Sequence, residues 1–464
     1  MRNFFSSMVM LSTFSYAQAQ HTTIEIPLSS NDVSDIQSIP NGDSLFVAVD
    51  WYDFVPKTKD YGNSMALKYG YWIDPSGNIS KTSFGFIEKA ALLSVECNQD
   101  TCSYYYLKLS KKEKKNVISR MASKKGGKQA TFTNTEISFL GDELIALTKF
   151  DSQLVCLSFD SKTKKLHIKQ INQSPKEIQR EMDLSILKKL KLHPITYIDS
   201  EAFTSIGDAS SMNKLFYENG KLIFISVENN KTMNLITLNL ETGEETRHSS
   251  SLPENKKLNT FYHRGIIYSI AAISNSEYLF TAQRYGTDSL TTKIALPRLL
   301  KYDEFPIYVR HGKLKTIKKE SSLFKLMNIR PEYHIAIVLE ERMGKPLFVF
   351  GDFLDVKGTG FGGGIDPLTS ITIFLITSAL RQTFGEGVGI SRYSYLEEDA
   401  NDIYKIVNEY KENPPIRQRI DDYEIAEQKK KKDFEIKLYR QLKSGVASIY
   451  HVRKESKLRV VKHK

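Results

Sequence analysis

The feature that most constrains the fold is a long series of short, strand-like segments. Each is roughly 5–10 residues long, is rich in Val, Ile, Tyr, Phe and Thr, and is bounded by turn-forming residues. A small antiparallel sheet cannot bury both of its faces alone, so such sheets must stack on one another. Typical segments are Ser44–Trp51, Lys221–Val227 and Gly265–Ile273.

Turns recur between these segments in a repeated context. The stretches Ile73–Asn78, Phe159–Lys165 and Leu240–Glu244 each place a polar turn after an apolar strand. A repeat of roughly 40–50 residues with four short strands is the period of a β-propeller blade. On these stretches, residues 40–395 resemble secreted bacterial β-propeller repeat proteins. The resemblance implies a mainly β, propeller-like fold of about six blades, with a pair of β-sandwiches as the alternative.

Two regions break the strand pattern. Residues 174–193 open with Ser174-Pro175-Lys176-Glu177, a capping box with proline at the first helical position, and continue with apolar residues at helical spacing. We expect a small helical insertion there. Residues 397–464 are highly charged with helical spacing, which predicts a helical appendage to a domain of residues 20–396. The appendage either packs on that domain or docks to a protein partner.

The N-terminus has the three parts of a secretory signal peptide. Arg2 is followed by an apolar stretch and then by Ala17-Gln18-Ala19, a small-residue cleavage site. The pattern predicts that residues 1–19 are removed and that the chain is secreted, periplasmic or held in the cell envelope. We expect no transmembrane span after cleavage, because no later run of about 18 apolar residues occurs. A buried N-terminal helix or strand is the alternative.

The cysteines are few, and their spacing suits an exported chain. Cys97 and Cys102 flank a four-residue loop between two strand-like segments, where a hairpin would bring them face to face. An oxidising compartment permits a disulfide between them. Two free thiols are the alternative. Cys156 lies in an apolar run, which predicts a buried, inert thiol.

Positive charge is concentrated in two segments of the chain. Lys108–Lys128 contains nine lysine or arginine residues and one acidic residue, and Asn401–Lys464 contains 17 basic and 10 acidic residues. Such a patch attracts anionic molecules, and for an exported protein these are envelope components or glycans. A solvated hairpin is the simpler interpretation. Nucleic acid is not expected, because no DNA- or RNA-binding module signature occurs.

The most unusual local feature is the glycine-rich run that begins at Gly358. Gly358, Gly360 and Gly363 match G-x-G-x-x-G, but the pattern that follows is that of a strand. A dinucleotide site requires a helix at that place, so we predict no nucleotide cofactor. A flexible loop whose small residues admit a ligand is the better interpretation.

The acidic residues around that loop are the candidate ligand-binding groups. Asp352 and Asp355 precede the loop, and Asp366 follows it, together with Gly360 and Gly363 within it. Turn-capping carboxylates are the competing interpretation. We predict no metal site, because the histidines are scattered and no H-E-x-x-H motif occurs.

No catalytic motif stands out from the sequence. S-x-x-K occurs four times, Ser211–Lys214 among them, but without the S-D-N or K-T-G that accompanies it in serine acylases. The leading hypothesis is therefore a secreted or envelope binding or scaffold module of unknown ligand. A propeller-type hydrolase or lyase acting on an extracellular glycan or peptide is the alternative. It would require polar residues that converge from separate blades, so enzyme activity stays an open question.

Overall fold

The computed structural model describes residues 21–463 apart from short gaps and six longer ones. The longer gaps are 53–64, 125–134, 296–306, 318–332, 356–388 and 398–415. The predicted signal peptide, residues 1–19, lies outside the described residues. The described chain divides into two compact units. Unit 1 comprises residues 1–88, 124–130 and 414–464, and unit 2 comprises the rest.

Unit 1 contains two four-stranded antiparallel sheets and one long helix. Sheet 1 has the order β1-β30-β29-β28, so it joins residues from both extremes of the described chain. Sheet 2 has the order β2-β3-β4-β5. The elements of unit 1 are β1 (His21–Pro27), β2 (Val33–Asn41), β3 (Ser44–Tyr52), β4 (Met65–Ile73), β5 (Ile79–Glu88), α2 (Ile416–Lys429), β28 (Lys437–Leu442), β29 (Gly445–Val452) and β30 (Lys457–His463).

Unit 2 contains five sheets that follow one another along the sequence. Sheets 3, 4 and 6 have four strands in sequential order, and sheets 5 and 7 have five. In sheet 3 lie β6 (Ala90–Cys97), β7 (Thr101–Leu109), β8 (Asn116–Lys124) and β9 (Thr135–Ile137). In sheet 4 lie β10 (Glu143–Phe150), β11 (Gln153–Asp160), β12 (Lys165–Gln170) and β13 (Gln179–Asp183).

The remaining sheets of unit 2 include one parallel pair. In sheet 5, β14 pairs with β15 in parallel, and the other strands are antiparallel. Sheet 5 holds β14 (Ile195–Tyr197), β15 (Asn213–Glu218), β16 (Lys221–Glu228), β17 (Thr232–Asn239) and β18 (Glu245–Ser251). Sheet 6 holds β19 (Lys257–His263), β20 (Ile266–Ala272), β21 (Tyr278–Arg284) and β22 (Leu290–Ala295). Sheet 7 holds β23 (Ile307–His311), β24 (Lys313–Ile317), β25 (Tyr333–Arg342), β26 (Lys345–Asp355) and β27 (Gly389–Glu397).

The central strands of these sheets are buried on both faces. Six consecutive residues of β11 and six of β16 are buried, so both faces of each strand pack against other elements. One core cluster joins sheets 4 and 5 through Leu166, Met182 and Phe224, and a smaller one joins sheets 3 and 4. Stacking of consecutive small sheets on both faces is the packing of propeller blades. The mainly β, propeller-like prediction is confirmed, with seven sheets in the described residues.

Two tight hairpin turns contain residues in the left-handed backbone conformation. β15 and β16 are joined through Asn219 and Gly220, both with positive φ, of +49° and +73°. Two successive positive-φ residues form the two-residue turn whose twist matches that of the flanking strands. Arg264 and Gly265 join β19 to β20 in the same way. The alternation of strand and tight turn in the sequence thus encodes antiparallel pairing of neighbours.

The predicted helical insertion at 174–193 is corrected where the structure describes it. Gln179–Asp183 forms strand β13, and a short 3-10 helix, Ser185–Lys189, follows. The physical reason is pairing: β13 completes sheet 4 beside β12, and Met182 lies opposite Leu166 in the buried core. Burial in a sheet outweighs helix propensity in so short a run.

The C-terminal region has the predicted helix but is not only an appendage. Residues 416–429 form α2, and the three strands that follow it complete sheet 1, in which β30 pairs with β1. Val446–Val452 is mostly apolar and buried throughout, as expected for a strand that is covered on both faces. A protein partner for the region stays a prediction.

Among the described residues, no helix has the length and apolar character needed to cross a bilayer.

Candidate functional site

The candidate residues chosen from the sequence fall at the end of one strand or outside the described part. Asp352 and Asp355 lie on β26, where they are register partners of Arg392 and Gly389 of β27. Gly360, Gly363 and Asp366 lie outside the described residues. The structure therefore neither brings these five residues together nor separates them, and the ligand site at this loop stays a prediction.

A different polar cluster lies where the first antiparallel strands of sheets 5 and 6 meet. Lys214 of β15 is 1% exposed, and its ammonium group donates hydrogen bonds to Asn259 Oδ1 at 2.7 Å and to the Thr260 carbonyl. Both acceptors belong to β19. This single side chain therefore ties sheet 5 to sheet 6 inside unit 2.

Asn259 extends the connection to sheet 7. Its Oδ1 atom also accepts a hydrogen bond from the Ile337 amide of β25 at 3.4 Å, and its Nδ2 atom donates to the Ser211 carbonyl at 3.4 Å. Asn259 is 1% exposed. One buried amide thus contacts groups from three different parts of the chain. Such convergence of residues from separate sheets is what a propeller-based site requires.

A short helix flanks this cluster. α1 (Ile206–Ala209) begins after Ser205, whose hydroxyl accepts a hydrogen bond from the Asp208 amide at 3.0 Å, a typical N-cap. The helix packs against β25 and β26 within unit 2. The chain then enters β15 at Asn213, whose side chain accepts a hydrogen bond from Ser226 at 2.8 Å. These bonds hold the backbone on the N-terminal side of Lys214.

The environment of Lys214 determines its protonation. Burial holds the pKa of Lys214 well below its ordinary value of 10.5, because an isolated cation is costly to remove from water. A neutral amine has two hydrogens, and the two recorded hydrogen bonds use both. The remaining lone pair could act as a base or nucleophile toward a molecule that reached it. The enclosure of the side chain opposes such access.

Unit 1 buries ionisable groups in a different way. Arg459 of β30 donates to Glu427 of α2 at 2.6 Å and to Glu25 of β1 at 2.8 Å. Glu424 of α2 accepts hydrogen bonds from Tyr439 and Tyr450. Here each charge or acceptor has a charged or hydroxyl partner, and the contacts hold α2 on sheet 1.

The structure describes all three cysteines and tests the predictions made for them. Cys97 and Cys102 form a disulfide that closes the hairpin between β6 and β7, where they are register partners. Cys156 is buried, and burial raises the pKa of its thiol to about 12, which keeps it protonated and unreactive. The predicted disulfide is therefore present in the structure. Among the described residues, no group of three or more possible metal ligands is found.

Sequence reasoning missed the Lys214 cluster because its members come from distant segments. Lys214 and Asn259 are 45 residues apart. The S-x-x-K match at Ser211–Lys214 was set aside because neither S-D-N nor K-T-G accompanies it. A further signal was the position of this lysine within the strand Asn213–Glu218. The buried polar face of α2 was also missed, because charged residues at helical spacing predict an exposed face.

Comparison with solved structures finds proteins that contain propeller domains. A post-proline cleaving enzyme from Rickettsia typhi aligns at 10% identity over 76% of this chain and 52% of that chain, with a TM-score of 0.32. The match therefore spans about half of that enzyme. The β-propeller domain of the Trilobed protease from Pyrococcus furiosus aligns at 9% identity over 69% of this chain and 96% of that one, with a TM-score of 0.30.

A third structure is the WD40 domain of SCAP from fission yeast. It aligns at 9% identity over 82% of this chain and 98% of that one, with a TM-score of 0.30. No protein-family model matches the sequence, and no curated protein sequence matches it. At this level of similarity the neighbours say nothing of what this chain binds or does. The propeller-like architecture rests on the strand order and the packing of this chain alone.

Proposed function

We propose that the chain is an exported, propeller-type binding or scaffold module of the cell envelope. The observation that carries this proposal is how the described buried ionisable groups are used. Lys214 holds β15 to β19, and Arg459 holds β30 to α2 and β1. Groups that would be available for chemistry in an enzyme are committed here to joining one element to the next. A rigid stack of sheets then presents its loops to a ligand.

Export is supported by the disulfide and by the position of β1. Disulfides persist in oxidising compartments outside the cytoplasm, and Cys97–Cys102 closes a hairpin. Cleavage after Ala19 would leave the whole of β1, which starts at His21 and pairs with β30. The mature protein would therefore keep sheet 1 intact.

Export can be tested by expressing the full chain in a bacterial host and fractionating the cells. We expect a periplasmic or secreted product whose N-terminal residue, read by mass spectrometry, is Gln20, with Cys97 and Cys102 oxidised. An Ala17→Leu/Ala19→Leu variant should retain residues 1–19, because the small residues of the cleavage site are gone. An intact N-terminus on a cytoplasmic wild-type product would contradict the proposal.

The ligand class we propose is an anionic glycan or another anionic envelope component. It would be attracted by the basic segment Lys108–Lys128. Attraction of this kind is screened by salt, so binding should weaken steeply as ionic strength rises. A neutral ligand would show little such dependence.

A glycan array read on the mature protein, with product analysis on the same samples, separates binding from catalysis. We expect saturable binding to anionic glycans without turnover. Replacing Lys111, Lys112, Lys114 and Lys115 by alanine should weaken binding at least tenfold. The matched control replaces Lys429, Lys430, Lys431 and Lys432, which removes the same charge elsewhere and should leave binding unchanged. Release of cleaved products would favour the hydrolase or lyase instead.

One observation favours that second candidate. The pKa of Lys214 is lowered by burial, and the amine donates hydrogen bonds to the Asn259 side chain and the Thr260 carbonyl. Perturbed groups gathered from several strands are typical of active sites. If any glycan or peptide substrate is turned over, Lys214→Met should abolish the turnover while the fold survives. Turnover unchanged in that variant would assign the lysine a purely structural role.

A further inference from the structure

The face of sheet 1 that carries α2 is mostly polar, with Val446 and Val461 as apolar members, which is unusual for a helix packed on a sheet. The buried face of the helix consists of one isoleucine, Ile420, and four charged residues. Because side chains alternate along a strand, the register places one set of polar residues beneath the helix. On the sheet these residues are His21, Thr23 and Glu25 of β1, Arg459 and His463 of β30, Ser448 and Tyr450 of β29, and Tyr439 of β28.

His463 is a buried histidine of this interface. The residue is 2% exposed, and its Nε2 atom has no hydrogen-bond partner among the described residues. Its ring lies edge-on to that of Tyr423 of α2, with centroids 6.0 Å apart, and 6.2 Å from the ring of His21. A buried ring nitrogen without a partner is tolerated far better when the imidazole is neutral.

The groups that face His463 come from three elements. From α2 they are Arg419, Tyr423 and Glu424, and from β1 the neighbour in register is His21. From β29 the neighbour in register is the apolar Val446. Two of these groups carry or can acquire positive charge, and one is acidic. The surroundings therefore disfavour a second positive charge on His463 more than they favour it.

We propose that the contact between α2 and sheet 1 is an acid-responsive latch, in which uptake of a proton by the His463 ring releases the helix from the sheet. An imidazolium in this position would be a buried charge beside Arg419 and His21, with no partner for its Nε2–H. In the released state the ring would be hydrated and could be protonated freely. Acid thus favours release, and neutral pH favours the closed contact.

The pH window follows from the two protonation equilibria. Burial, and then the positive charge of His21 and Arg419, lower the pKa of His463 to about 3, while Glu424 opposes the shift. The pKa in the released state is near 6.5. A group whose pKa is lowered in the closed state stabilises that state above pH 6.5 and progressively less below it. By linkage the release equilibrium rises about tenfold per pH unit below 6.5, which is roughly 30-fold at pH 5.

One other group acts in the same direction but at lower pH. Hydrogen bonds from Lys457 and Arg459 lower the pKa of Glu25 below its ordinary value of 4.5. Its ion pairs are therefore complete above pH 5 and are lost only in stronger acid. Burial raises the pKa of Asp422 on α2, so this carboxyl opposes release in acid. Comparison of the wild type with His463→Leu between pH 5 and 7.5 therefore isolates the contribution of His463.

Hydrogen–deuterium exchange of the mature chain, followed by mass spectrometry, tests the latch. Labelling times are scaled to the intrinsic exchange rate at each pH, and the protection of peptide 416–429 is compared with that of peptide 221–239 from unit 2. We expect protection of the α2 peptide to fall about 30-fold between pH 7.5 and 5, while the reference peptide changes little. His463→Leu, which cannot be protonated, should abolish that fall.

Two further variants make the result decisive. His463→Gln keeps a neutral polar side chain and serves if the leucine variant does not fold. His248→Gln removes a histidine from β18 and should show the wild-type profile. Equal pH dependence of the two wild-type peptides would overturn the proposal. So would a His463 variant that folds and still loses α2 protection in acid.

Discussion

Lys214 of unit 2 and Arg459 of unit 1 are buried by opposite means. In unit 2, Lys214 is enclosed with neutral acceptors, the Asn259 side chain and the Thr260 carbonyl. In unit 1, Arg459 is enclosed with two carboxylates, Glu427 and Glu25. A charge without a counter-charge can be buried only if it is neutralised, whereas a paired charge can be buried as it is.

The difference teaches that burial alone does not predict how a region responds to pH. Burial lowers the pKa of Lys214 on folding, so unit 2 gains stability as the pH rises toward 10.5. Hydrogen bonds from Lys457 and Arg459 lower the pKa of Glu25, so this contact of unit 1 weakens in acid. The following substitutions test these two modes of burial separately.

The largest effect is expected from removing the shared arginine. Arg459→Leu removes the buried cation that pairs with Glu427 and leaves the largely exposed Lys430 as its counter-charge, which should lower the free energy of unfolding of unit 1 by about 3–5 kcal/mol. Calorimetry, with hydrogen exchange of β29 and β30 to locate the loss, measures it. Arg459→Lys is the control, because it keeps one charge and should recover part of the stability. A loss confined to unit 2 would refute the assignment.

Lys214→Met tests the neutralised lysine. Above pH 10 the substitution only removes the amine that donates to two buried acceptors. The variant should therefore be less stable than wild type by about 2–4 kcal/mol. Because the pKa of Lys214 is lowered from 10.5 on folding, the wild type loses stability as pH falls from 10.5 toward 7, and the variant does not. The gap should therefore narrow or reverse at pH 7. Urea unfolding of both proteins at pH 7, 8.5 and 10 measures it, and a gap independent of pH would show a charged lysine.

The hydroxyl partners of Glu424 offer a smaller, graded test. Tyr439 makes the shorter hydrogen bond to Glu424 Oε1, and the Tyr450 hydroxyl lies 3.3 Å from the same atom. Tyr439→Phe should cost about 1–2 kcal/mol, and Tyr450→Phe less, because a long hydrogen bond contributes less. Thermal unfolding of the two variants, each differing from wild type by one oxygen, gives the ranking. The reverse ranking would mean that Tyr450 is the main partner.

The smallest effect is expected for an exposed ion pair in unit 2. Arg247 contacts Asp183 at 3.0 Å and Glu245 at 2.6 Å, but its side chain is 43% exposed. Arg247→Leu should change stability by less than about 1 kcal/mol, and the change should vanish in high salt. Comparison with Arg459→Leu in the same salt series isolates the effect of burial. Equal losses in the two variants would mean that burial is not the cause.

The architecture was largely predictable because strands and turns leave local signals. The turn after Phe159 and the turn after Leu240 each join two strands of one sheet. The disulfide was predictable for the same reason, since Cys97 and Cys102 flank one hairpin. Local pairing depends on residues close together in sequence, and alternation and turn chemistry record it.

The rest depended on contacts that the local sequence does not record. In the sequence, Met182 lies at helical spacing. In the structure it belongs to β13, the fourth strand of sheet 4, which pairs with β12. In the sequence, Lys214 is indistinguishable from the lysines of the other S-x-x-K matches. Its role depends on two hydrogen-bond acceptors in β19. The buried face of α2 reads as a solvated one, because its partners on sheet 1 lie elsewhere in the chain. The candidate acids Asp352 and Asp355 remain predictions.

The pairing of β1 with β30 has a consequence for how the protein reaches its folded state. Thr22 and Lys462 are neighbours in sheet 1 although 440 positions separate them. Contacts of such sequence separation form slowly, because a very long loop must close before they contribute. During synthesis β1 therefore stays without its neighbour until β30 has left the ribosome. A chaperone that binds unpaired strands would accordingly protect β1 for the longest time.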